Sequence, residues 1–198
     1  MFEGIQRTIE IVDQILNERE RVRDEVLKVS RDIIRKSKML IKNVYLNRSD
    51  SGETLKELRE LKKKLMHLIS SGEFLKYSNL VTSVLTEYVE AEIVFSVIVG
   101  EDIPSFEDLG VDVVPYVLGF ADAVAELRRF ILEYLRRGNV ELSVSLLEKM
   151  ESLYLILCQL EYSDAILPGF RRKCDVIRRL VDETKSDIIF MRKRLNHV

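Results

Sequence analysis

Glu87 and Glu90 stand three residues apart and Asp122 and Glu126 four apart, each pair in a stretch that is otherwise almost wholly apolar. On an α-helix, these spacings put both side chains on one face, about one turn from each other. Two such helices packed together could enclose one or two Mg²⁺ ions, or Mn²⁺ in their place, in an oxygen cage. A cage of that kind can lower the pKa of a bound water and clamp the oxygens of a phosphate undergoing displacement. Gly119 lies about one turn before Asp122 on the same face, where a missing side chain would let another helix or a substrate backbone come close. Glu92, two residues beyond Glu90, is expected to point away from the pair.

Spacing alone does not single these acids out. Asp and Glu make up 33 of 198 residues, and pairs such as Glu57 with Glu60 and Glu148 with Glu151 occur in ordinary charged surface sequence. The surroundings do distinguish them. Between Tyr77 and Leu127 there is no lysine or arginine, yet ten acids: Glu87, Glu90, Glu92, Glu101, Asp102, Glu107, Asp108, Asp112, Asp122 and Glu126. The rest of the chain therefore carries 31 bases against 23 acids. A carboxylate in an apolar helix is costly to bury alone, so these acids need a partner from elsewhere, either a divalent ion or bases on other helices.

Other chemistries have little to draw on. The two histidines, His67 and His197, form no Glu-x-x-His motif, which disfavours a ferritin-like di-iron site and any Ser-His-Asp or Cys-His apparatus. His67 reads as a half-buried helix residue and His197 as a tail residue. No glycine-rich phosphate loop is present. Cys158 and Cys174 lack any paired-motif spacing and read as reduced, buried thiols. The longest apolar stretch, Val113 to Ala121, is too short to cross a bilayer, and no signal-peptide pattern opens the chain. A soluble, cytoplasmic protein without a membrane partner is expected.

The elements that must position the acids are helices. Gly4 to Gly52 has no interior glycine or proline, and Val22, Val26, Val29, Ile33, Leu40 and Val44 recur in near-heptad steps. This predicts one very long helix, or two joined near Asn17, with a seam for a partner. A turn follows over Asn47–Gly52, then a second helix through Leu55, Leu58, Leu61, Leu65 and Leu68, ended by Ser70, Ser71 and Gly72. A third is expected from about Phe74 to Val99, stopping at Gly100, apolar enough to lie at the centre of the fold. The segment Gly100–Asp112 reads as the longest loop. A fourth helix has Pro115 near its first turn and Gly138 just past its end, a fifth runs from Asn139 to about Tyr162, and a last one opens at Pro168. No stretch shows period-two alternation. The expectation is an all-α fold, a single-domain bundle of about six to seven helices over residues 1–198.

The segments Thr86-Glu87-Tyr88-Val89-Glu90-Ala91 and Pro115-Tyr116-Val117-Leu118-Gly119-Phe120-Ala121-Asp122, with Glu126-Leu127 and Arg129 beyond, resemble the translin family, and specifically its TRAX-like (translin-associated factor X) subunits. Lys28-Val29-Ser30-Arg31-Asp32-Ile33 and Ser37-Lys38 are similar to the family's N-terminal helix, so the resemblance covers nearly the whole chain. It implies an all-α domain assembling into a hollow, roughly octameric shell. It also implies binding of single-stranded RNA or DNA and Mg²⁺-dependent endoribonuclease activity of the TRAX type. By position, the family's catalytic acids fall on Glu87, Glu90 and Asp122, the metal ligands, with Glu126 as a fourth member, either a further ligand or the group that orients the attacking water. Some relatives carry one more acid a turn earlier, where this chain has Val84, so metal affinity or the number of ions held could differ.

An acidic site repels phosphate, so bases must stand nearby. Candidates are Arg31, Arg35, Lys38 and Lys42 on the first helix, Lys62 to Lys64 on the second, and Arg171, Arg172, Lys173, Arg178 and Arg179 on the last. Arg128 and Arg129 could contact a scissile phosphate or pair with neighbouring acids. Aromatic interleaving for base stacking is weak, which points to backbone contacts with little sequence preference. Two other readings stay open. One is a non-catalytic nucleic-acid-binding shell whose acids pair with bases from other helices. The other is an all-α nucleoside-triphosphate pyrophosphohydrolase, which the Asp-x-x-x-Glu spacing of the second pair argues against.

Overall fold

A computed structural model describes residues 2–71 and 78–195, and every regular element among them is helical. His197 lies outside the described residues, as does the expected start of the third helix near Phe74.

The glycine- and proline-free N-terminal sequence forms one uninterrupted helix, α1 (Phe2–Tyr45), with no break at Asn17. At 1.5 Å per residue it is about 65 Å long. Its C-terminal half buries Val26, Val29, Ile33, Leu40 and Val44, the heptad-like seam. Its N-terminal half continues the same three- and four-residue steps through Phe2, Ile5, Ile9, Val12 and Leu16, all exposed. Asn47, with φ +53°, turns the chain into α2 (Ser51–Ser71), so Gly52 lies inside the helix rather than in the turn. His67 is exposed on α2 rather than half-buried.

α3 (Asn79–Val99) begins where the Ser78 hydroxyl accepts a hydrogen bond from the Val81 N–H. It stops at Gly100, whose φ of +84° few other residues adopt readily. Most of α3 is buried, as its apolar composition requires. The expected loop contains one helical turn, α4 (Phe106–Leu109), closed by a reciprocal capping box between Ser105 and Asp108. Asp112 then caps α5 (Val113–Arg136) by accepting from the Val114 N–H. Two acids of the base-free window thus have purely local work.

α6 (Val140–Leu157) ends five residues before the expected Tyr162. No glycine or proline marks that end; Leu157 and Leu167 instead enter the core from either side of the connection. α7 (Phe170–Leu195) completes the chain. α3 and α5 pack along each other at the centre, with α1 and α2 on one side and α6 and α7 on the other. No helix among the described residues is long and apolar enough to cross a membrane.

Candidate functional site

The two acid pairs meet because α3 and α5 touch backbone to side chain at one glycine. A Cβ on Gly119 would stand 2.5 Å from the Thr86 carbonyl oxygen and 2.7 Å from the Val89 Cβ, closer than real atoms approach. Gly119 therefore lies against the turn of α3 that carries Glu87 and Glu90, and Asp122 follows one turn later on α5. Val84, a turn before Glu87, is fully buried, so the position where some relatives carry an acid belongs here to the core.

Glu90 feels all of its acidic neighbours. Burial, and then the negative charges of Asp122, Glu87 and Glu126, push its carboxyl up to about 8, while Lys173 acts in the opposite direction. The four acids converge electrostatically, yet among the described residues no three metal-ligating side chains are gathered tightly enough to hold an ion. Two of the four are turned to cations. Lys173, reaching from α7, forms an ion pair with Asp122, and Arg129 bonds Glu126 at 3.0 Å one turn along α5. Glu87 and Glu90 have no cationic partner at bonding distance among the described residues. As donors, four carboxylates suit a hard, oxygen-preferring ion such as Mg²⁺ or Mn²⁺. The arrangement accommodates one only if Asp122 exchanges its lysine for it.

Glu92 points away from the pair and solves the same burial problem differently. It is fully buried, held by Arg59 through two 2.8 Å hydrogen bonds and by the Tyr88 hydroxyl at 2.8 Å. The bidentate geometry satisfies both carboxylate oxygens without an ion.

Above the acids lies a cleft of about 550 Å³. Glu87, Glu90 and Glu126 line it together with Arg129, and α1 supplies Lys38, Ile41, Lys42 and Tyr45. Acids and bases thus share one cavity. Lys38, Lys42 and Arg129 are the expected nucleic-acid-binding residues that line it. Arg128 is committed elsewhere, to Glu183 at 2.9 Å and Asp187 at 2.8 Å on α7. Arg31, Arg171 and Arg172 are exposed and lie outside this cleft. Tyr45 was not singled out by its sequence. Its signal was the helical spacing of Lys38, Ile41, Lys42 and Tyr45, which puts an aromatic on the same face as two lysines.

The sequence model of the Translin family matches residues 21–185. The chain belongs to the translin family. The match spans α1 from Arg21 to most of α7 and so includes both acid pairs. A structure of AfC3PO in complex with duplex RNA is similar to this chain at 34% identity, covering 95% of this chain and 98% of that one, with a TM-score of 0.86. A crystal structure of AfC3PO gives 33% identity, 94% and 97% coverage and a TM-score of 0.86. Apo-NeC3PO gives 27%, 92% and 96%, and 0.82. An uncharacterized protein of Methanocaldococcus jannaschii is 32% identical over 175 residues, covering 88% of this chain and 78% of that protein.

Proposed function

We propose that this translin-family chain is of the catalytic, TRAX-like kind: a metal-dependent endoribonuclease that binds RNA and works as a homo-oligomeric shell, an octamer on the family's pattern, in the cytoplasm. The observation that carries the reading is Glu90, a carboxylate raised to about 8 by burial and by three neighbouring acids, with no cation at bonding distance among the described residues, beside a cleft lined by lysines. The similarity to an AfC3PO–duplex RNA complex supports RNA as ligand. The apolar stripe on the first half of α1, extended beyond the chain's own core, supports assembly with further copies.

Glu87, Glu90 and Asp122 would hold Mg²⁺ or Mn²⁺. When bound, the ion would supply activation of water and neutralisation of charge at the scissile phosphate. Lys38 and Lys42, which line the same cleft, hold phosphate oxygens against the repulsion of the acids. Asp122 releases Lys173, whose ammonium is then free to contact the phosphate. Glu126 orients Arg129 through their 3.0 Å bond.

The second reading, a non-catalytic shell binding single-stranded RNA or DNA, draws support from the pairing of Asp122 with Lys173 and of Glu126 with Arg129. Labelled single-stranded and duplex RNA incubated with Mg²⁺ or Mn²⁺, with and without EDTA, separates the two. Chelator-sensitive cutting that is lost in Glu90→Gln and Asp122→Asn, with oligomer mass unchanged, supports the nuclease. Salt-sensitive binding indifferent to EDTA, without cutting, overturns it in favour of the second.

A further inference from the structure

Arg129 does more than neutralise Glu126. Its guanidinium carbon stands 4.3 Å from the centre of the Tyr45 ring, a cation–π contact between α5 and the last turn of α1. Three contacts fix that ring: the guanidinium over one face, the Phe130 edge at 5.5 Å and 74°, and a 3.2 Å hydrogen bond from the Tyr45 hydroxyl to Glu133. Glu133 is itself held by Arg136 and Arg137, each at 2.7 Å. The guanidinium is thus held by Glu126 and lies over the Tyr45 ring. It is not sealed in: the Arg129 side chain keeps 50% of its exposure.

The position of this pair gives it a use. Tyr45 and Arg129 line the acidic cleft of about 550 Å³ and also a second cleft of about 470 Å³, whose walls include Arg128 and Arg136. The pair is the feature common to both. A chain of nucleotides running from the acids into the second cleft must cross it. A planar guanidinium set over an aromatic ring and half-exposed is a surface on which a nucleobase can stack.

We infer that the Tyr45–Arg129 pair is a nucleobase subsite, taking the base of an unpaired nucleotide next to the one whose phosphate lies at the acids. Arg129 is the contact residue and Tyr45 the positioning residue beneath it. Stacking needs only a π-face, so every base fits, with purines favoured by their larger overlap. A base inside a continuous A-form duplex is already stacked on both sides and cannot use the shelf, so the subsite selects single strands, bulges and frayed ends. The inference rests on the nucleic-acid reading above.

The test is binding in EDTA, independent of cleavage. Fluorescence anisotropy would compare the full-length protein's affinity for a single-stranded oligoadenylate with its affinity for an abasic oligomer of the same length and charge. Wild type should prefer the base-bearing oligomer about tenfold, within the range for one stacked base. Arg129→Lys keeps the charge but not the plane, and should bring the ratio close to one. Tyr45→Phe keeps the ring and should preserve the preference, whereas Tyr45→Leu should remove it, with thermal melting showing that each variant is folded. Equal binding of the two oligomers by wild type overturns the shelf and leaves the nucleic-acid reading standing. A preference that survives unchanged in Arg129→Lys overturns it likewise. Binding of neither oligomer overturns both.

Discussion

Glu90 should make the metal-free protein less stable as the solution becomes alkaline, and Glu90→Gln should remove the effect. An unfolded glutamate ionises near the ordinary value of 4.5, whereas in the fold burial and the charges of Asp122, Glu87 and Glu126 push Glu90 up to about 8. The folded state therefore holds a proton that the unfolded state has given up. The associated stabilisation is fully present below 4.5 and is lost as pH rises through about 8. Between pH 6 and 9 the loss spans about two pKa units, or about 2.7 kcal/mol, at 1.36 kcal/mol per unit. Glu90 borders an open cleft, and solvent screening there reduces the expected effect to about 1–2 kcal/mol. For a chain of this length that is a fall in Tm of about 2–8 °C beyond the general pH dependence. The amide introduced by Glu90→Gln mimics the protonated acid at every pH, so the variant should match wild type only below about pH 4.5, melt above it already at pH 6, and pull further ahead towards pH 9. Differential scanning fluorimetry in EDTA reads the difference directly. A gap that stays constant across pH 6–9, or a variant that melts lower at pH 9, would refute an uncompensated carboxylate at this position. Adding Mn²⁺ should close the gap at pH 9 by stabilising wild type alone.

Four further outcomes follow from the same contacts. Gly119→Ala drives a Cβ into the Thr86 carbonyl and should destabilise the protein by about 2–3 kcal/mol in urea unfolding, because backbone must shift to admit it. Arg59→Met leaves Glu92 buried and unpaired and should cost about 3 kcal/mol, most of it recovered in Arg59→Met with Glu92→Gln; no recovery would mean the ion pair is not the cause. Lys173→Met frees Asp122 of a half-exposed partner worth about 1 kcal/mol, so calorimetry should show Mn²⁺ bound about fivefold more tightly, and an unchanged affinity would separate Lys173 from the metal. Ile9→Glu with Leu16→Glu places charge on the exposed stripe of α1 and should shift sedimentation to smaller species, whereas unchanged mass would exclude that stripe from assembly.

The helices and the acid pairs were legible because both depend on short-range periodicity. A glycine- and proline-free run with near-heptad apolar steps has few alternatives to α1, and spacings of three and four put acids on one face whatever the tertiary fold. Gly119 was legible for the same reason, since it lies one turn from Asp122. The end of α6 was not, because Cys158 to Tyr162 contains no breaker and the helix stops where Leu157 and Leu167 find core positions. Nor could α4 be separated from its loop by periodicity, although Ser105 followed three residues later by Asp108 carries the capping signature.

The site's charge state was the part that spacing cannot reach. A window without lysine or arginine suggests acids free of cations, but the fold imports them from outside it: Arg59 to Glu92, Lys173 to Asp122 and Arg129 to Glu126. Two of these come from other helices, 33 and 51 residues away, and no local pattern predicts them. What distinguishes Glu87 and Glu90 is therefore not the lack of a cation at bonding distance among the described residues, which they share with the exposed acids Glu101, Asp102, Glu107, Asp108 and Asp112, but that lack combined with partial burial between the central helices. Lys38 and Lys42, on α1, line the same cleft. An acid pair kept unneutralised with lysines lining the same open gap is the arrangement expected when a third species, carrying both positive and negative charge, is to fill that gap. A divalent ion on a phosphodiester is such a species, whereas a purely structural role for these acids would have closed the gap with an ion pair, as Glu92 does with Arg59.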